Sequence, residues 1–279
     1  TANLDYNGRL CMVSAGAGNK KALGMDRASN PWSDIPLADV VFVAGANVAE
    51  CAPITTSYIW RARDRGAKLI VADPRVTPLA RTADVFLGIK PGTDSALMGS
   101  ILHVLIANDW IDHNYVDAHT GGFAESAAAV ADYTPEWAAG ICGVPADRIV
   151  EAARLWGTSA TGMLLHARGI EHHSKGVENV LSCINLGLAT GKYGKPGCGV
   201  TTITGQDQRP PHDGNAARII GQRFKTQRLG EPDHDFVAGL PRAFQLDKPT
   251  GRRAGRRRAI AGDAHWGGWR ELFGGQRFA

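Results

Sequence analysis

Three short clusters combine turn glycines, acceptor side chains and a cation: Gly45-Ala46-Asn47, Asp73-Pro74-Arg75 and Gly92-Thr93-Asp94. A glycine lets the backbone approach a phosphate, and amides at a helix N-terminus add positive potential there. A carboxylate such as Asp73 suits ribose hydroxyls or the donor edge of a purine, and Arg75 suits a phosphate or a base. Any one cluster alone reads as turn and helix-cap chemistry. Their order along one stretch of chain is what points to a nucleotide-like ligand. No G-x-G-x-x-G occurs, which argues against an ordinary NAD site. The five cysteines (Cys11, Cys51, Cys142, Cys183, Cys198) never form a C-x-x-C pair. That argues against a disulfide framework or a zinc site, provides no cubane iron–sulfur motif, and fits a reducing compartment.

The elements that would position these clusters are legible around them. Val40 to Ala44 is a continuous apolar run, as a buried parallel strand should be; Lys68 to Ala72 reads as a second buried strand and Val85 to Ile89 as a third, shorter one. The first cluster follows the first run, the second follows the second, and Gly92-Thr93-Asp94 follows the third. A helix-compatible stretch through Ile59, Trp60 and Ala62 stops at Arg65-Gly66. Leu97, Met98, Ile101, Leu102, Leu105 and Ile106 recur at helical spacing after Thr93-Asp94. Pro145 to Trp156 reads as an amphipathic helix, Met163 to Ala167 as a strand, and Val177 to Thr190 as a helix closed by Gly191. Strand and helix in alternation predict a doubly wound α/β domain with a mostly parallel sheet, in which ligands bind beyond the carboxyl ends of the strands. Trp32, Trp60 and Trp110 are expected in the core or at an interface.

The 279 residues are 44% hydrophobic and 21% charged, ordinary for a globular chain. No run approaches the roughly 18 apolar residues of a membrane helix. The opening TANLDYNGRL has no signal-peptide pattern and no initiator Met, so the true start is expected upstream. A cytoplasmic location is expected, with a periplasmic one left open for the same reason. The net charge of +4 is uneven: beyond Gly205 the chain carries a dozen Arg with little periodicity. This segment, 207–279, reads as an irregular basic tail, and disorder is the expectation for it.

The order of motifs resembles one family. Gly8-Arg9-Leu10-Cys11-Met12 precedes Gly45-Ala46-Asn47-Val48-Ala49-Glu50, then Asp73-Pro74-Arg75 and Pro91-Gly92-Thr93-Asp94-Ser95-Ala96-Leu97. Gly169-Ile170-Glu171-His172-His173, Gly176-Val177-Glu178-Asn179, the run from Gly191 to Gly199, and Thr204-Gly205-Gln206 follow. Together they resemble the molybdopterin oxidoreductases that carry two molybdopterin guanine dinucleotides, and the resemblance covers residues 4 to 206.

The resemblance implies that Cys11 ligates molybdenum. A thiolate suits a metal already bound by dithiolenes, whereas by residue type alone Cys11 would more often be an inert small residue. It implies that Gly45, Asn47, Glu50, Asp73, Arg75, Gly92 and Asp94 hold one dinucleotide. Gly169 and His172 would contact cofactor, and Gly205 and Gln206 would lie near the pterin or metal. Adjacent histidines rarely point at one ion, so a structural or cofactor-contacting role for His172-His173 outweighs metal ligation. Formate dehydrogenases resemble one another in a His after the ligating residue and an Arg before the later Gly-Gln. Here those positions hold Met12 and Thr204, the nitrate reductase pattern. With Cys11, these two form the expected catalytic set, for oxygen-atom transfer from nitrate with electrons from a donor protein through a 4Fe-4S cluster. The cluster would be ligated elsewhere in the parent enzyme.

Two departures stand beside the resemblance. The family's upstream cluster domain and downstream closing domain are absent from these residues, so an isolated chain is expected to be inactive. After Gln206 the residues Asp207-Gln208-Arg209-Pro210-Pro211 replace the family's Asn- and Gly-rich continuation. A frameshifted or truncated gene product is the expectation drawn from that, with a divergent extension as its rival. Three other readings stay open: a formate dehydrogenase, a molybdenum-free electron-transfer scaffold related to a respiratory complex I subunit, and a nucleic-acid binder. Met12 and Thr204 argue against the first and Cys11 against the second. The third rests on the tail alone, which lacks interleaved aromatics.

Overall fold

A computed structural model of the protein describes residues 7–26 and 28–204. Helix α1 (Val13–Leu23) precedes strand β1 (Val40–Ala44). Short α2 (Val48–Cys51) and α3 (Pro53–Asp64) lead to β2 (Lys68–Ala72) and β3 (Val85–Leu87). Five helices follow: α4 (Asp94–Ala107), α5 (His113–His119), α6 (Phe123–Ala129), α7 (Pro135–Cys142) and α8 (Ala146–Thr158). The chain returns to the sheet at β4 (Gly162–His166), makes the single turn α9 (Arg168–Glu171) and the long α10 (Gly176–Ala189), and ends its described part on β5 (Gly199–Thr202).

All five strands are parallel, in the order β3-β2-β1-β4-β5. The doubly wound α/β expectation is met. Side chains alternate between the two faces of a strand, and the core divides accordingly. Val40, Phe42 and Ala44 join Ile70, Ala72 and Leu164 on one face, under α1, α4, α8 and α10. Val41 and Val43 join Leu69, Val71, Met163 and Leu165 on the other, under α3. Because both faces are covered, β1 and, after Lys68, β2 read as unbroken apolar runs rather than as alternating ones.

The differences from expectation have local causes. β3 stops at Leu87, not Ile89, because its partner β2 ends at Ala72, the residue paired with Leu87. β4 begins one residue earlier than expected, in the register Val40↔Gly162 to Ala44↔His166. α1, the stretch from α5 to α7, and β5 were not foreseen. Of the three tryptophans, Trp32 and Trp110 pack against the core, while Trp60 is 37% exposed. No helix among the described residues is long and apolar enough to cross a membrane.

Lys192 is a buried cation in this frame. It is 1% exposed, donates from Nζ to the Ser159 carbonyl at 3.0 Å, and lies 5.2 Å from the Trp156 ring centroid. Burial pushes its pKa down from 10.5 to about 8. Between those values the folded state binds fewer protons than the unfolded, so Lys192 makes stability rise with pH. Relative to Lys192→Met, the wild type is expected to gain about 3 kcal/mol of unfolding free energy between pH 8 and 10.5. Urea titrations of both proteins at the two pH values measure the gain, and parallel pH profiles would rule it out.

Candidate functional site

From β1 the chain steps outward to β2 and β3, then returns across to β4 and β5. The direction of winding therefore reverses between β1 and β4, and at such a point the carboxyl ends of a parallel sheet leave a crevice. A cleft of about 710 Å³ opens there, within the size range of small-molecule sites. Gly45 to Val48 line it from β1, Ala72 to Arg75 from β2, Ala167 to Gly169 from β4, and Ile203 and Thr204 from β5.

Two glycines set its floor. Gly45 has φ +56°, and a Cβ there would lie 2.7 Å from the Ile170 nitrogen. A Cβ on Gly169 would lie 2.6 Å from the Gly45 Cα, and Gly169 N–H donates to the Gly45 carbonyl at 2.9 Å. The turn after β1 and helix α9, which follows β4, can approach this closely only without side chains at both positions.

Acceptors face the same space. Asn47 commits its amide nitrogen to Glu50 Oε2 at 2.6 Å, and Glu50 Oε2 lies 3.8 Å from Arg75 Nη2. Asp73 uses Oδ1 to accept the Arg75 N–H at 2.8 Å, so the turn chemistry seen in Asp-Pro-Arg is realised. Asn47 Oδ1, Thr55 Oγ1 and Asp94 Oδ2 are buried and have no hydrogen-bond partner among the described residues. All three residues line the cleft, and buried polar atoms left unpaired are costly unless a ligand meets them. Burial raises the Asp94 carboxyl above its ordinary 3.8; the charge of His173, 3.9 Å away, pulls it back, and Asp73 adds to the rise.

At the far wall Cys11 Sγ stands 3.9 Å from Thr204 Oγ1, across 193 residues of sequence. The Cys11 carbonyl accepts from Arg168 Nη1 at 2.6 Å and His172 Nε2 at 2.8 Å. Arg168 also pairs with Glu171 Oε2 at 2.6 Å. Glu171 is 1% exposed, accepts the Thr202 hydroxyl, and lies 3.3 Å from His166 Nδ1, near enough for an ion pair though not aligned as a hydrogen bond. Burial alone would raise the Glu171 carboxyl; His166, Thr202 and Arg168 outweigh it and hold its pKa below the ordinary 4.5.

Cys11, Gly45, Asn47, Asp73, Arg75, Asp94, Gly169 and Thr204, all singled out by sequence, line this one cleft. Glu50 sits at the rim between Asn47 and Arg75. Gly92 lies in the exposed turn before α4, with φ +81° and open space around it. Met12 caps α1 and packs against the core. His172 turns to the Cys11 carbonyl, and His173 takes the place in the cleft wall. Gly205 and Gln206 lie outside the described residues, as does the segment 207–279. Sequence reasoning missed Arg168, Glu171, His166 and Thr55. An Arg and a Glu three apart read as a solvated helical pair, and nothing in the sequence signals that Glu171 is buried. Among the described residues no three His, Cys, Asp or Glu side chains gather into a metal site.

An open parallel α/β unit with a glycine-floored cleft at its switch point is the arrangement in which doubly wound α/β proteins bind their ligands. The sequence model of the family "Molybdopterin oxidoreductase" matches residues 1–248, past the point where the motif-by-motif resemblance ends. The chain belongs to the molybdopterin oxidoreductase family. It is 39% identical over 207 residues to F420-dependent formate dehydrogenase 1 subunit alpha of Methanococcus maripaludis, covering 74% of this chain and 31% of that protein. It is 38% identical over 224 residues to the assimilatory nitrate reductase catalytic subunit of Bacillus subtilis, covering 80% and 31%. Formate dehydrogenase H of Escherichia coli is 36% identical over 207 residues, covering 74% and 29%. The chain thus spans about a third of the length of the curated relatives it matches, and overall identity does not separate the two branches. Acetylene hydratase from Pelobacter acetylenicus shares the fold at TM-score 0.63 and 24% identity, covering 69% of this chain and 26% of that one.

The residues present fit the molybdenum–pterin cofactor that the family implies. The glycine floor admits a flat group or a phosphate, the unpaired acceptors match donor-bearing rings, and a half-buried thiol stands at the wall.

Proposed function

We propose that this chain is the dinucleotide-binding α/β part of a nitrate reductase, which converts nitrate to nitrite at a molybdenum centre held by two molybdopterin guanine dinucleotides. The observation that carries the reading is Thr204 beside Cys11. A neutral hydroxyl stands where formate dehydrogenases resemble one another in an Arg, and Met12, in place of their His, packs into the core. The chain therefore offers neither a charge for the formate carboxylate nor a base for its proton at these two positions.

In this reading Asn47, Asp73 and Asp94 accept hydrogen bonds from the dinucleotide, and Arg75, exposed at the rim, meets a phosphate. Gly45 and Gly169 let it lie against the backbone, and the Cys11 thiolate is the protein's ligand to the metal. When bound, the cofactor supplies two-electron oxygen-atom transfer; nitrate gains two electrons and two protons and leaves as nitrite and water. The electrons come from a donor protein by way of a 4Fe-4S cluster outside these residues. The formate reading keeps one specific support, the 39% identity to a formate dehydrogenase subunit.

Purified full-length enzyme containing molybdenum is expected to reduce nitrate with a reduced viologen dye and to leave formate unoxidised. Formate-dependent dye reduction without nitrate turnover would reverse the assignment. The 279-residue chain assayed alone is expected to give no nitrite, because one α/β half leaves much of such a cofactor uncovered.

A further inference from the structure

We propose that Arg168 and His172 are positioning residues for Cys11. They form a two-donor clamp on its main-chain carbonyl that sets where the thiol stands against Thr204. The functional meaning of the clamp rests on Cys11 being the metal ligand; the clamp itself does not.

Met12 anchors the turn that carries Cys11 in the core, but the apolar residues on either side of that pair are exposed. Leu10 is 82% exposed and Val13 is 42% exposed. Instead, two charged or polar donors converge on one carbonyl oxygen, Arg168 Nη1 at 2.6 Å and His172 Nε2 at 2.8 Å. Arg168 reaches further. Its Nη2 donates to the Ile203 carbonyl at 3.0 Å and to Thr202 Oγ1 at 3.4 Å. Ile203 is the residue before Thr204, so one guanidinium holds both sides of the Cys11–Thr204 pair.

The two terminal nitrogens of an Arg carry four N–H donors. Here they meet four acceptors: Cys11 O, Glu171 Oε2, Thr202 Oγ1 and Ile203 O. Although Arg168 lines the cleft, those nitrogens are spent on the protein, and Glu171 compensates its charge. It is a fixed strut rather than a receptor for a substrate anion. Glu171, buried and held by Thr202, in turn fixes the guanidinium.

Peptide-resolved alkylation of the folded 279-residue chain with iodoacetamide at one pH tests this, with exposed Cys51 as internal reference. Arg168→Lys keeps the charge but loses the planar fork. It is expected to speed Cys11 modification about tenfold, as loss of a charge-assisted hydrogen bond would. His172→Ala is expected to speed it about threefold, as loss of a neutral one would. Cys51 should react at the wild-type rate in both. A Cys11 rate unchanged in His172→Ala, whose exposed side chain leaves folding intact, overturns the clamp even where Arg168→Lys fails to fold. So does an unchanged rate in folded Arg168→Lys, which would reduce that residue to its charge. In the full-length enzyme, Cys11→Ser with an unaltered molybdenum electron paramagnetic resonance spectrum would refute the ligand assignment while leaving the alkylation result standing.

Discussion

Alanine at position 45 is expected to cost about 3 kcal/mol of stability, from left-handed backbone strain plus overpacking against fixed backbone. The residue has φ +56°, and the added Cβ would lie 2.7 Å from the Ile170 nitrogen and 2.8 Å from the Gly169 carbonyl carbon. These backbone atoms belong to α9, directly after β4, and cannot move aside as a side-chain tip can. The internal control is Gly92→Ala: φ there is +81°, with nothing within 4 Å of the new Cβ. It carries the strain without the clash, so about 1 kcal/mol is expected. Urea midpoints of the two variants separate the terms. Equal losses would mean that the approach of the Gly45 turn to α9 is not the constraint described. In full-length enzyme, Gly45→Ala should also lower bound molybdenum, because the added methyl group fills the cleft floor.

Glu171→Gln is the second large effect. A buried carboxylate that accepts from Arg168 and Thr202 is replaced by an amide that turns N–H donors toward donors. Breaking one partner of a buried ion pair costs on the order of 3 kcal/mol. The pH dependence follows from the lowered pKa. Since the folded value lies below the ordinary 4.5, the stabilisation is complete above that ordinary value and is lost as pH falls through the folded one. Acid titration of the wild type should therefore show a limb below about pH 4.5 that is shallower in Glu171→Gln. Identical acid limbs in the two proteins would show that Glu171 does not carry this charge.

The parts of the fold that were legible are those whose burial is written in residue type. β1, and β2 after its exposed Lys68, are runs of Val, Ile, Leu, Phe and Ala closed by Gly45 and by Asp73-Pro74, and their limits match the sequence reading. β5 was invisible because Gly199-Val200-Thr201-Thr202 is four residues long and carries one aliphatic side chain. α1 was hidden for another reason. Its glycines weaken helix propensity, yet Gly18 serves packing: a Cβ there would meet Val180 Cγ1 of α10 at 2.7 Å. Only the partner helix explains that glycine, and the partner lies more than 150 residues away. The cleft was legible where a residue's own chemistry and its strand end coincide, as at Asn47, Asp73 and Asp94. It was not legible at Arg168 and Glu171, whose role depends on what surrounds them.

The separation of Cys11 from Thr204 along the chain also bears on how the protein is made. A contact spanning 193 residues carries a large loop-closure cost that nearby contacts do not repay until the intervening sheet exists. Cys11 precedes β4 and β5 in the chain, so its thiol is expected to stay unguarded until β4 has paired with β1 and β5 has added to the edge. Among the described residues, the wall that Cys11 and Thr204 share is then expected to close after the sheet has formed. Any mutation that slows pairing of β4 or β5 is then expected to lengthen the interval in which Cys11 is open to oxidation.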